Sequence, residues 1–154
     1  MDKNKRPIIY TTAGGYFPEI SLKYCYEHNI IAFENALHSM APGVEKFVYI
    51  ADMFNIGYQN MDLKTNIAFF KTIQAPYRGR LGQIILVDPP STIWVAFKLV
   101  KPFMKPETIE KVMFVKTSEV RGKLTDVLGP EATERLALEL EENHDREKAE
   151  AKRW

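Results

Sequence analysis

The spacing of hydrophobic positions changes several times along the chain, and the first change separates a strand from a helix. The apolar and β-branched run at residues 8–12, followed by Gly14-Gly15, predicts a first β-strand. From residue 18 to 40 the hydrophobic positions recur in steps of three and four. This period predicts a long helix, which Pro42-Gly43 closes.

The middle of the chain repeats this succession of strand and helix. Residues 47–51 predict a buried strand that ends at Asp52. Asp62 is a plausible cap for a second helix, whose apolar face carries Leu63, Ile67, Phe70 and Ile73. The continuous apolar run at residues 83–87 predicts a strand of the kind found in parallel sheets that are covered on both faces.

A fourth strand and a short helix complete the pattern. Residues 111–116 alternate as a strand, and residues 120–128 predict a helix. Because strands and helices alternate along the chain, the sequence predicts an α/β fold with a mostly parallel sheet flanked by helices. The segment after residue 128 is predicted to pack in its first half, through Ala132, Leu136, Leu138 and Leu140, and to become a charged helix or frayed tail afterwards.

One predicted helix has no polar side. Residues 93–100 contain a single polar side chain, Lys98, and follow Pro89-Pro90. Ser91 or Thr92 is expected to cap this helix, which should stop near Pro106. A helix that only packs on a sheet needs one apolar stripe, so its second side should meet an apolar ligand, a partner chain or a membrane surface.

Composition and charge narrow the class of protein. With 154 residues and 45% hydrophobic content, the chain predicts one compact domain. No apolar run reaches the ~20 residues that cross a bilayer, and the single cysteine, Cys25, has no partner for an internal disulfide, which fits a cytoplasmic protein. Residues 1–130 carry 16 Lys and Arg against 12 Asp and Glu, an excess too small for a duplex nucleic acid partner.

The sequence contains no motif that predicts catalysis. Gly14-Gly15 lacks the remaining residues of a phosphate-binding loop, and the three histidines are not spaced as metal ligands. Asp52 and Asp88 follow strands, where α/β enzymes place catalytic groups, but turn formation also explains both. We therefore expect a protein that is not an enzyme and uses no cofactor or metal, and keep a hydrolase-like site at these aspartates as the weakest alternative.

Several stretches carry a family resemblance. They are Tyr77 to Gly82, the strand Ile84 to Val87, Asp88-Pro89-Pro90, Phe97 to Met104 and Pro106 to Val112. In this order they resemble the CRAL-TRIO lipid-binding domain, the family of the secretory phosphatidylinositol/phosphatidylcholine transfer proteins and of retinaldehyde- and tocopherol-binding proteins. The resemblance covers about residues 6–128 and leaves residues 129–154 as a C-terminal charged helix or tail.

The resemblance implies a sheet that forms the floor of a hydrophobic pocket, with a mobile gate helix over it. The implied lipid-lining residues are Trp94, Phe97, Val100, Phe103 and Met104. In the phosphatidylinositol-binding members, a Thr and a Lys at the positions of Thr108 and Lys111 meet the inositol phosphate. A hydroxyl and a compact cation suit phosphate oxygens. For each residue singly, packing or turn formation explains its type as well.

The chain also departs from the family pattern. The turn Tyr77-Arg78-Gly79-Arg80 lacks the usual Pro and Glu, and no Gly pair follows Leu128. Arg6-Pro7 already stands near the beginning of the domain, so the helical module that usually precedes it is expected to be missing, and a homodimer could cover the surface this leaves. The implied function is binding of a phospholipid or other hydrophobic molecule, with transient contact to membranes. The alternative is a protein-interaction module on the same fold.

Overall fold

The computed structural model describes residues 1–12, 22–56, 77, 79–104 and 106–152. Side chains are not described for residues 22–26, 96, 100 and 103. The predicted Gly14-Gly15 turn and the helix expected after Asp62 lie outside the described residues.

A parallel sheet organises the described part of the chain. The strands are β1 (Ile8–Thr12), β2 (Phe47–Asp52), β3 (Leu81–Val87) and β4 (Val112–Val115). The helices are α1 (Leu22–His38), α2 (Ser91–Val100), α3 (Pro106–Ile109), α4 (Val120–Leu128), α5 (Pro130–Asn143) and α6 (Arg146–Lys152), with 3-10 turns at Lys101–Phe103 and Thr117–Glu119. The strands lie in the order β1-β2-β3-β4, and every neighbouring pair is parallel. The predicted α/β class is therefore confirmed.

One face of the sheet is sealed by the helices that follow β4. Ile50, Ile85 and Val87 point to this face and are fully buried. Leu124 of α4 and Leu140 of α5 close the same cluster. Since successive side chains of a strand point to opposite faces, the period of two in β2 and β3 decides which residues enter this core.

The opposite face is covered near β1 and β2 by α1. The ring of Phe33 stacks on Phe47 with 5.3 Å between ring centroids, and it meets the edges of Tyr49 and Tyr77 at 5.7 and 5.0 Å. The Tyr77 hydroxyl donates to Glu34 Oε1 at 2.7 Å. Burial and this hydrogen bond raise the pKa of Tyr77 to about 12. Aromatic packing thus fixes α1 to one half of this face.

The ends of α2 differ from the prediction. Pro90 is the N-cap residue, with extended backbone and no capping side chain, so the expected cap by Ser91 or Thr92 is wrong. Both residues lie inside the first turn, where their hydroxyls cannot occupy the capping position. The α-helix stops at Val100 rather than near Pro106. Pro102 has no N–H to donate, which breaks the α-helical ladder, and a 3-10 turn follows.

The C-terminal segment packs in its first half, as expected, and Ala132 packs against the core as predicted. Leu136, Ala137 and Leu140 of α5 enter the core together with Thr133. Leu138 is 50% exposed, so its expected packing is wrong. Its position on the helix turns it away from the residues at steps of three and four that face the sheet.

Candidate functional site

The register of the sheet places two apolar rows on the face that α1 covers only in part. One row joins Tyr49, Ile84 and Val112, and the next joins Ala51, Leu86 and Phe114. In these rows the side chains of β3 and β4 remain half-buried. On the opposite face their neighbours Ile85, Val87 and Val115 are fully buried. The sheet is therefore sealed on one face and partly open on the other.

Helix α2 lies against the open face at β4. The Trp94 ring stacks on Phe114 with 4.2 Å between centroids and 26° between the ring planes. Phe97 meets the same ring edge-on at 5.0 Å. Offset stacking and edge-to-face contacts of this kind each contribute about 0.5–1.5 kcal/mol beyond the buried area. Phe114 is thus the support on which the inner side of α2 rests.

The outer side of α2 is also apolar. Val95 is 56% exposed and Leu99 69% exposed, and even Trp94 keeps 44% of its surface accessible. Lys98 is the exposed cation of this helix. The sequence correctly anticipated a helix without a polar side, and among its described side chains Trp94 and Phe97 contact the sheet while Val95 and Leu99 face outward.

The predicted lipid-lining residues all lie on α2 or directly after it. Trp94 and Phe97 contact the sheet as just described. Met104 is half-buried, and its N–H closes the 3-10 turn by donating to the Lys101 carbonyl at 3.1 Å. The backbones of Val100 and Phe103 are in place, whereas their side chains lie outside the described part of the structure.

Thr108 and Lys111 are joined by one turn at the start of β4. The Lys111 N–H donates to the Thr108 carbonyl at 3.3 Å. The Lys111 carbonyl accepts from the Ile84 N–H at 2.7 Å and from Gln83 Nε2 at 2.9 Å. The Lys111 backbone therefore extends the pairing of β3 with β4, and a phosphate-binding role for its side chain remains a prediction.

A second feature, a cluster of polar side chains, lies at the carboxyl ends of the strands. Asp52 is completely buried. Its carboxylate accepts from the Tyr10 hydroxyl at 2.9 Å, from the Phe54 N–H at 3.0 Å and from His144 Nε2 at 3.0 Å. Burial, and next the Asp52 charge, raise the pKa of Tyr10 above its ordinary value. These donors satisfy a carboxylate that would otherwise be costly to bury.

Asp88 forms the other side of this cluster. Its Oδ1 accepts from the Thr117 N–H at 3.0 Å, and its Oδ2 accepts from Thr117 Oγ1 at 2.5 Å. His144 Nδ1 lies 3.5 Å from Thr117 Oγ1 and 4.0 Å from Asp88 Oδ2. The Phe54 ring stacks on the imidazole with 4.0 Å between centroids. His144 thus sits between two carboxylates and ties the end of α5 to the sheet.

Sequence reasoning interpreted both aspartates as turn formers, and this is correct in part. The Asp52 bond to Phe54 N–H spans two residues, and Asp88 has φ 47°. The sequence missed their link to His144, which is 92 residues from Asp52. The one available signal was that carboxyl ends of neighbouring parallel strands share an edge. Within the described residues, no group of His, Cys, Asp and Glu side chains is arranged to hold a metal ion.

Comparison with known proteins agrees with a parallel α/β fold flanked by helices. The profile of the family described as the CRAL/TRIO domain matches residues 1–135. The chain therefore belongs to the CRAL/TRIO domain family.

The individual relatives share fewer than 30% of the aligned residues with this chain. A CRAL-TRIO domain-containing protein of Schizosaccharomyces pombe is 28% identical over 73% of this chain and 11% of its own length. The phosphatidylinositol transfer protein PDR17 of Saccharomyces cerevisiae is 27% identical over 74% of this chain and 34% of its own length. The crystal structure of Sfh5 superposes with a TM-score of 0.57 at 17% identity, covering 82% of this chain and 48% of Sfh5. The chain thus spans less than half the length of each of these proteins.

The described helices are also too short or too polar to cross a bilayer, so none of them qualifies as a membrane span. The longest of them, α1, has 17 residues and carries charged side chains.

Proposed function

We propose that this chain binds a lipid between α2 and the open face of the sheet, and that it carries or presents this lipid at membranes. The favoured ligand is phosphatidylinositol or another phospholipid. The family relationship and the name of the relative PDR17 support this class of ligand. No catalytic step is part of the proposal.

The unequal burial of the two sheet faces carries the proposal. Ile85 and Val87 are closed to water by α4 and α5, while Ile84 and Leu86 on the same strand are only half-buried. An apolar floor of this kind, beneath a helix that is apolar on both sides, suits an acyl chain. Each methylene buried there would contribute about 0.8 kcal/mol, so a long chain could offset its extraction from a bilayer.

Mass spectrometry of an organic extract of the purified protein tests the proposal. We expect a lipid at close to one molecule per chain after expression in a eukaryotic host, and faster transfer of labelled phospholipid between vesicles than in blanks. Failure to find lipid in the extract, together with transfer at the blank rate, would refute lipid binding.

A matched pair of substitutions tests whether the open face of the sheet, and not the outer surface of the protein, binds the lipid. Leu86→Gln places an amide on the open face of the sheet, whereas Leu138→Gln makes the same change on the exposed side of α5. We expect the first to weaken lipid binding by about fivefold to 150-fold, because an unsatisfied amide in an apolar site costs on the order of 1–3 kcal/mol. The second should leave binding unchanged, and equal loss in both would count against the proposed floor.

Thr108 and Lys111 are proposed to hold the phosphate of the headgroup. The resemblance carries this assignment, and the hydroxyl and ammonium provide donors for phosphate oxygens. Lys111→Gln should weaken binding of phosphatidylinositol more than that of phosphatidylcholine in vesicle competition. The Lys111 carbonyl pairs with Ile84 in wild type and variant alike, so the strand should be preserved. A uniform loss for both lipids would therefore count against a phosphate-binding role of the side chain.

The second candidate function is protein interaction through the outer side of α2. The exposure of Val95 and Leu99 favours it, because an apolar pair on one helix face can join two copies of the chain. Delipidated protein that stays dimeric in size-exclusion chromatography, and becomes monomeric as Leu99→Asp, would support this function. Monomers in both cases would exclude a dimer built on α2.

A further inference from the structure

A small cavity lies at the amino end of the sheet, between the segments that lead into β1 and β2. Its volume is about 290 Å³. The lining residues are Asn4, Arg6, Gly43, Val44, Glu45 and Lys46. Because the strands are parallel, their amino ends share one edge of the sheet, and the cluster around Asp52 lies at the other edge. The cavity is therefore separate from that cluster.

Arg6 is held in place by a buried carboxylate. Asp2 has a fully buried side chain, and its Oδ2 lies 2.7 Å from Arg6 Nε and 2.6 Å from Arg6 Nη2. Its Oδ1 accepts from the N–H groups of Asn4 and Arg6 at 3.0 and 2.8 Å. A guanidinium has five N–H donors, and no described residue accepts from Nη1. Arg6 therefore lines the cavity with an oriented side chain that still has donors to offer.

Gly82 of β3 brings Arg6 and Lys46 to one place. A Cβ atom at Gly82 would lie 2.9 Å from Arg6 Nη1 and 3.2 Å from Lys46 Cβ, so both side chains pass over the bare backbone of this glycine. Lys46 is exposed, and its ammonium has no acidic partner among the described residues. Guanidinium and ammonium groups both bind phosphate oxygens, the first as a planar fork and the second as a point charge.

The connection between α1 and β2 adds further donors. Gly43 adopts φ 85°, and the N–H groups of Gly43, Glu45 and Lys46 donate to no described backbone carbonyl. The side-chain amide of Asn4 also has no partner in the described part of the chain. Glu45 is the acidic residue of the lining, and it is exposed, so that its carboxylate can turn into water. The lining thus offers more donors than acceptors.

We propose that this cavity binds a phosphate group, which comes either from a soluble phosphate or from the headgroup of an anionic lipid at a membrane surface. Pockets for drug-sized ligands measure about 300–1,000 Å³, so this cavity suits a small anion. A phosphate has enough oxygens to accept from Arg6 and Lys46 together. The proposal does not depend on a lipid beneath α2, and it does not use Thr108 or Lys111.

Titration of inorganic phosphate into the full chain at constant ionic strength, followed by NMR of the backbone amides, tests the site. We expect saturable shifts at Arg6 and at residues 43–46. Lys46→Gln removes the ammonium and should weaken binding about threefold to fivefold, as for the loss of one exposed ion pair. Glu45→Gln removes a repelling carboxylate and should tighten binding about twofold. Arg6 is left intact, because its loss would leave the Asp2 carboxylate buried without a partner.

Lys5→Gln is the matched control. Lys5 is exposed on the segment before β1 but does not line the cavity, and the substitution makes the same change in net charge. It should leave the affinity within about 1.5-fold of wild type, because salt screens exposed charges that do not touch the anion. Equal weakening in Lys5→Gln and Lys46→Gln would reduce the effect to net charge and overturn the proposal. Shifts that do not saturate, or that spare residues 43–46, would also overturn it.

Vesicles distinguish the two sources of the phosphate. Co-sedimentation is measured with phosphatidylcholine vesicles that contain or lack phosphatidic acid, whose phosphate is a monoester. Sedimentation that requires phosphatidic acid, and that falls in Lys46→Gln but not in Lys5→Gln, upholds the site with a lipid headgroup as its ligand. Saturable binding of inorganic phosphate without such sedimentation upholds the site with a soluble phosphate as its ligand.

Lipid transfer separates this site from the proposed function. Lys111→Gln should keep the phosphate-induced shifts at residues 43–46, and their loss in this variant would place the anion at Lys111 and overturn the inference. A protein that shows these shifts but transfers no lipid would uphold the phosphate site and refute the proposed function. A protein that transfers lipid but shows no shifts would do the reverse.

Discussion

The contact between His144 and Asp52 should contribute measurably to the stability of the fold. His144→Ala removes a donor to a completely buried carboxylate and the ring that stacks on Phe54. A hydrogen bond to a charged group is worth about 1.5–3 kcal/mol, and an aromatic contact about 0.5–1.5 kcal/mol. Because Tyr10 and the Phe54 N–H still donate to Asp52, we expect a total loss of about 2–4 kcal/mol in the free energy of unfolding.

Equilibrium urea denaturation at pH 7, followed by circular dichroism, measures this loss through the transition midpoint at constant slope. His38→Ala is the control, since His38 is exposed and its ring contacts only a carbonyl of its own helix in the described structure. The control should change stability by less than about 0.5 kcal/mol. His144→Gln, which retains an N–H donor, should recover part of the loss. A cost for His144→Ala no larger than that of the control would refute the argument.

Three further predictions concern other parts of the fold. Thr133→Val should raise the free energy of unfolding, measured by urea denaturation, by about 1 kcal/mol. The reason is that Thr133 Oγ1 is a buried oxygen with no hydrogen-bond partner in the described structure. A loss of stability in this variant would contradict the prediction. The Tyr77 hydroxyl stays neutral up to about pH 12 in the folded protein but ionises near pH 10.0 when unfolded. Its stabilising contribution is therefore complete below pH 10 and is lost as the pH rises towards 12. Tyr77→Phe should accordingly make the fall in melting temperature between pH 10 and pH 12 less steep. An equally steep fall in the variant would show that groups other than Tyr77 cause it. Phe114→Ala should increase the quenching of Trp94 fluorescence by iodide, because it removes the ring on which Trp94 stacks. The measurement is made in a Trp154→Phe background, in which Trp94 is the one tryptophan left in the sequence, and Phe114→Leu should give an intermediate value. Equal quenching with Phe, Leu and Ala at position 114 would show that Phe114 does not support α2.

The apolar helix α2 shows which structural features a hydrophobic pattern predicts and which it does not. Its composition was enough to predict that both sides of α2 would contact something apolar. It could not say that Trp94 and Phe97 would turn inward onto Phe114 while Val95 and Leu99 faced outward, because that depends on where β4 lies. The pattern also did not predict where the helix ends. Pro102 has no N–H, so the α-helical hydrogen bonds stop at this residue and not at Pro106.

The sequence by itself determined the strands and the α/β class, because apolar periodicity, β-branched runs and turn residues act within a few positions of each other. The helix at residues 120–128 and the strand ending at Val87 follow directly from this local chemistry. Tertiary structure alone decided that His144 would lie between Asp52 and Asp88, and that one face of the sheet would be sealed while the other stayed partly open. These features depend on how distant segments pack, and a period along the chain specifies which side of an element is apolar but not which partner will cover it.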